Sequence, residues 1–172
     1  MKTLIRLALL SLLLVTLSAA AQPMDWNMVG SAGSIDPATT ALGNLQFVNM
    51  TAQHAGGALG QITLRYPVTN TFGSSSGTFL VPWNRMEVGH IDNGAGGFVI
   101  ARLFQVNRCT NAQVQISVMN SLDGGGVTVC PIVPIAAGAL PLNFAMNIYY
   151  IEVTIFRNNA GFNPSLQYVA LL

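Results

Sequence analysis

Charge is what this sequence has least of. Seven basic and six acidic side chains make up 8% of its 172 residues, where about a quarter is usual, and the single lysine, Lys2, stands at the very start. No basic stripe exists to neutralise phosphates or anionic headgroups, which excludes nucleic acid as a partner and a polybasic membrane-surface site. No stretch of helical length repeats its apolar residues at spacings of three and four, so no helix is expected. The two cysteines form no C-x-x-C and the two histidines stand apart, which removes the usual zinc and dithiol signatures.

What is present begins with a leader. Lys2 and Arg6 flank the start of the apolar stretch Leu7–Leu17, and Ser18-Ala19-Ala20-Ala21 closes it with small residues. The stretch is shorter than the roughly 18 residues of a membrane span. A basic start, a short apolar core and a small-residue end make a secretory signal peptide, residues 1–21, cut after Ala21. Residues 22–172 then form one domain by length, with five arginines, six carboxylates and no lysine. Export implies a secreted, periplasmic or cell-surface protein without stable membrane insertion. In that oxidising setting Cys109 and Cys130 are expected to form a disulfide.

Period-two alternation dominates the mature chain. In Asn147–Arg157 (NIYYIEVTIFR) the residues Tyr149, Ile151, Val153 and Ile155 make one wholly apolar face, while Ile148, Tyr150, Glu152, Thr154 and Phe156 make a mixed one. This reads as a central strand with one face in a core and the other half covered. Gln61–Thr69 alternates in the same way, with Pro67 on its outward side marking a sheet margin. Gln113–Met119, Leu166–Leu172, Met24–Val29 and Leu45–Met50 are further strands. Asn84–Ile91 and Phe98–Val106, joined by the Gly-rich Asp92–Gly97, read as a hairpin. In the second of these, Val99, Ala101 and Leu103 are expected to face the core, because the other register buries Arg102. The strands at 113–119 and 127–130 read as another excursion, stapled by the disulfide, and Pro131–Pro141 as a linker between sheets.

Eight to ten such strands imply an all-β fold, an antiparallel two-sheet β-sandwich of jelly-roll type. A small outer-membrane barrel is the competing solution. Short strands broken by Pro and Gly, with no aromatic girdles, argue against it.

Few residues carry chemistry. Gly73–Gly77 (GSSSG) matches G-x-S-x-G, but it lacks the strand and helix that a nucleophile elbow requires, leaving Ser75 a loop serine. His90 and Asp92 share a strand face and are expected to hydrogen-bond to each other, with Glu87 pointing the other way. His54 stands alone. Asp92, Asn93 and Asp123 lie in Gly-rich tips and could ligate Ca²⁺ if the two tips meet, although turn chemistry alone accounts for them; no other cofactor is expected. Asn49-Met50-Thr51 fits the glycosylation triplet, a short pattern frequent by chance that matters only in a glycosylating secretory pathway, and it is discounted. Trp26, Trp83, Tyr66 and Tyr150 are candidates for an aromatic platform that holds a sugar ring, core packing being their competing use.

With no convergent carboxylates or triad, the chain does not read as an enzyme. The first functional expectation is a secreted or envelope structural and interaction protein, self-associating through its apolar outward face. The second is a carbohydrate- or ligand-binding β-sandwich module.

Overall fold

Strand Asn147–Arg157 runs its full expected length through the middle of a sheet in the computed structural model, which describes residues 25–36, 39, 45–71, 80–92, 94, 96–121 and 128–172. The leader and the Gly73–Gly77 loop lie outside the described residues. In chain order the strands are β1 (Trp26–Val29), β2 (Ser34–Ile35), β3 (Leu45–Val48), β4 (Thr51–His54), β5 (Gly60–Val68), β6 (Leu80–Val81) and β7 (Arg85–Ile91). They continue as β8 (Gly97–Asn107), β9 (Gln113–Asn120), β10 (Thr128–Val129), β11 (Ile132–Pro134), β12 (Leu142–Asn143), β13 (Asn147–Arg157) and β14 (Ser165–Leu171).

Two antiparallel sheets hold most of them, as the alternation requires. One has five strands in the order β2-β5-β13-β8-β9. The other has seven: β10-β7-β14-β4-β3, with β1 also on β14 and β11 also on β7, and a small β12-β6 pair stands apart. Between the two large sheets lies the core. Tyr149, Ile151, Val153 and Ile155 meet Ile62, Leu64 and Tyr66 on one flank and Val99, Ala101 and Leu103 on the other, facing Met86, Val88, Leu166, Val169 and Leu171 from the opposite sheet. Arg102 is outward, as the cost of burying its charge demands.

Pairing departs from the sequence reading in four places. Leu45–Met50 is not one strand; Asn49 and Met50 take φ of 47° and 69° and turn the chain from β3 directly into β4. Nor do β7 and β8 form a hairpin. The first pairs with β14, β10 and β11, the second with β13 and β9, so Asp92–Gly97 carries the chain from one sheet to the other. Pro131–Pro141 contains β11, an edge strand continuing the line of β10 along β7.

The fourth departure frees the cysteines. Cys109 sits in the turn that leads into β9, where the Asn107 side chain accepts from the amides of Cys109 and Thr110 at 3.0 Å each. Cys130 follows β10 on the opposite sheet, lining a cavity with Met119, Asn120 and Ser121 at the far end of β9. An eight-residue strand is about 26 Å long, whereas a disulfide needs Cα atoms within about 7 Å. Both cysteines are free and exposed, which corrects the expected bridge.

Candidate functional site

The alternation that fills the core with one face of β13 leaves the other face on the outer surface of the five-stranded sheet, where register sorts it into rows. Tyr150 lies opposite Pro67 and Phe104, and Phe104 opposite Gln115. One step along, Glu152 lies between Arg65 and Arg102, and Arg102 opposite Val118. Thr154 follows between Thr63 and Ile100, and Phe156 between Gln61 and Phe98. Successive rows are about 7 Å apart, two residues of strand rise.

Two of these rows are aromatic pairs. Tyr150 and Phe104 stack with centroids 5.1 Å apart, and Phe156 stacks on Phe98 at 4.7 Å. Such cross-strand pairs contribute roughly 0.5–1.5 kcal/mol each beyond their buried area. The Arg65 guanidinium caps the other side of the Tyr150 ring, 5.3 Å from its centroid. Partial burial pushes the Tyr150 hydroxyl up from its usual value of 10.0, with Arg65 opposing.

The row next to the Tyr150–Phe104 stack is an ion-pair chain. Arg65 Nη2 lies 2.7 Å from Asp36 Oδ2 and 3.3 Å from Glu152 Oε2, while Arg102 Nη1 lies 3.7 Å from Glu152 Oε1. The arginines are the exposed members, at 49% and 32%, and the carboxylates the covered ones, at 6% for Asp36 and 19% for Glu152. A surface results that offers guanidinium donors neutralised from below, flanked by half-buried ring edges.

Of the four aromatics expected to form a platform, only Tyr150 is on this surface. Trp26, Trp83 and Tyr66 are core residues. Trp83 meets the edge of Phe144, and the Tyr66 hydroxyl donates to the Gly30 carbonyl at 2.6 Å, with burial raising its pKa. Phe104 and the three charged neighbours of Tyr150 were not singled out by the sequence, although Glu152 and Arg65 fall on outward faces of its clearest strands.

The titratable group of β7 does not come together. His90 and Asp92 are both buried, but His90 Nδ1 donates to the Val88 carbonyl at 3.2 Å, and Asp92 accepts from Ser121 Oγ at 2.6 Å and from the Gly94 amide at 3.0 Å. The expected His90–Asp92 bond is therefore replaced by a turn contact and a link to Ser121, whose Oγ also accepts from the Val99 amide at 2.8 Å. Glu87 does point outward, accepting from the Tyr168 hydroxyl at 2.9 Å. Asn93 and Asp123 lie outside the described residues. Among the described residues no three His, Cys, Asp or Glu side chains are grouped to hold a metal.

No protein-family model matches the sequence, and no curated protein matches it. Solved structures do. The chain is similar to a carbohydrate-binding module, CBM36, in complex with calcium and xylotriose, at 8% identity over 86% of this chain and 99% of that one, with a TM-score of 0.45. It is similar to the CBM36-1 domain of a multidomain xylanase from the hindgut metagenome of Trinervitermes trinervoides, at 7% identity over 87% and 97% and a TM-score of 0.44. A structure of promiscuous carbohydrate-binding modules from the β-sandwich superfamily is a third, at 10% identity over 90% and 59% and a TM-score of 0.45.

The first functional expectation, a structural protein self-associating through its apolar outward face, is corrected. The outer face supplies a physical reason. Its rings were expected to need covering by another copy, yet Tyr150 and Phe156 are each covered by a stacked neighbour in the same sheet, and ion pairs lie between the two stacks. On β13 only Ile148 stands far out, at 53% exposure.

Proposed function

We propose that this chain is an exported glycan-binding module, residues 22–172 being the domain and residues 1–21 its signal peptide, and that it binds through the outer face of the five-stranded sheet. One observation carries the reading: the row Arg65–Glu152–Arg102 lies beside the Tyr150–Phe104 stack, with a second stack, Phe156–Phe98, two rows further on. A sugar presents apolar C–H patches and hydroxyl edges in close succession. Ring edges and aliphatic side chains accept the first; guanidinium, carboxylate and amide groups bond to the second. Because stacking and ion pairing already hold these side chains, little rotamer entropy is lost on binding.

Binding without catalysis fits the carboxylates. Glu152 and Asp36 are paired with arginines, Glu87 accepts from Tyr168, and Asp92 accepts from Ser121 and Gly94.

Affinity electrophoresis of the mature protein through gels containing a panel of polysaccharides tests it. At least one glycan is expected to retard the protein, and Tyr150→Ala and Phe104→Ala to weaken that retardation by about tenfold or more. Circular dichroism of the two variants separates loss of binding from loss of fold. Migration unaffected by every glycan would overturn the reading.

A further inference from the structure

We infer that the ligand of this face is an uncharged glycan, for which Arg65 and Arg102 serve as hydrogen-bond donors and not as counter-charges; the inference rests on the glycan-binding reading above.

Its basis is that the charge on the face is closed. Two guanidiniums and two carboxylates form one chain, Asp36–Arg65–Glu152–Arg102, with contacts of 2.7, 3.3 and 3.7 Å. No cation in it lacks an anion. A uronate or sulfate approaching Arg65 would meet the carboxylates of Asp36 and Glu152 already paired with the guanidinium, and like charges so juxtaposed repel. To gain a bidentate bond it would also have to draw Arg65 away from the nearly buried Asp36, weakening the 2.7 Å ion pair between them. A hydroxyl incurs neither cost, since it accepts from a guanidinium N–H and donates to a free carboxylate lone pair with the ion pairs in place.

The flanking rows have the same character. Gln61, Gln115, Asn120, Phe98, Ile100 and Val118 carry no charge, so amides are the remaining polar groups. These donate and accept alike, as sugar hydroxyls do, and discriminate by geometry and not by field.

Calorimetric titration with neutral oligosaccharides (xylo-, cello- and manno-series) and with acidic ones (oligogalacturonate, oligoalginate), each at about 20 mM and about 500 mM NaCl, tests the inference. A neutral series is expected to bind with Kd changing less than about twofold across that range, because paired, partly covered charges on the protein meet no charge on the ligand. Arg102→Gln, which keeps amide donors without the charge, is expected to retain affinity within about threefold, and Arg102→Leu to lose about tenfold. Binding of the acidic series, with affinity falling about tenfold or more in salt and lost in Arg102→Gln, would overturn the inference and leave glycan binding standing. Binding of no glycan in either series would overturn both.

Discussion

Tyr168 occupies the space that a side chain at Gly89 would take. Its ring crosses β7 at that point, and a Cβ on Gly89 would stand 2.2 Å from its Cε1 and 2.4 Å from its Cδ1. The glycine thereby lets the Tyr168 hydroxyl reach Glu87, with Cys130 beside it on the neighbouring edge.

Gly89→Ala is accordingly expected to destabilise the protein by about 2 kcal/mol, the usual cost of forcing a packed ring aside. The urea midpoint checks this. Tyr168→Ala combined with Gly89→Ala should cost less than the two changes added together, because the clash is removed with the ring.

Both cysteines are expected to react with iodoacetamide in the native protein. Intact mass before and after treatment decides it. Two carbamidomethyl additions without reductant are expected, whereas a native mass two hydrogens lighter and inert to the reagent would place a bridge where the strand path forbids one.

His54 gives the fold a dependence on pH. It is buried, its Nε2 donates to the Ile155 carbonyl at 3.2 Å, and burial lowers its pKa below the ordinary 6.5, with Arg157 adding to the effect and the Ile155 bond opposing it. The unfolded chain then binds a proton more readily than the folded one. This contribution to stability is complete above pH 6.5 and falls as pH drops below that value. Urea midpoints measured from about pH 7.5 to about pH 5.5 should decline in the wild type and decline less in His54→Leu, with Asp and Glu little protonated across that range.

Arg157 is buried, and among the described residues no carboxylate pairs with it. It donates through Nη1 to the Gly56 carbonyl at 2.6 Å, through Nη2 to the Ala160 carbonyl, and through Nε to the Asn159 carbonyl at 3.4 Å. It thus ties the β4–β5 turn to the β13–β14 turn. Replacing it with methionine removes three charge-assisted hydrogen bonds and is expected to cost about 3 kcal/mol, read as a shift in thermal midpoint with circular dichroism at room temperature unchanged.

How far the sequence could be read follows from the range of each interaction. The strand β13 and its two faces were legible because alternation is local, and the outward placement of Arg102 because burying a charge is costly wherever it occurs. Tyr66 could have been assigned to the core on the same evidence, since it alternates with Ile62, Leu64 and Val68. Trp26 and Trp83 sit at the start of a strand and just outside one, where alternation decides nothing. Sheet membership was illegible: Asp92–Gly97 has the composition of a hairpin tip, and the same Gly-rich chemistry serves a passage between sheets. The candidate site was illegible for a related reason. Arg65 and Glu152 meet across 87 residues of sequence, and only the register of β5, β13 and β8 puts them in one row with Arg102.

The position of β14 bears on when this protein can exist in folded form. That strand pairs with β7 on one side and with β4 and β1 on the other, so strands contributed by the first half of the domain meet in the sheet only through Ser165–Leu171. During synthesis those earlier segments wait. Until residues 165–171 have emerged, the seven-stranded sheet has no centre, and pairings of such long sequence separation are slow to form even then. The seven-stranded sheet therefore cannot close before residues 1–164 have been made, and β1, the β3–β4 pair and β7 stay unjoined to one another until then.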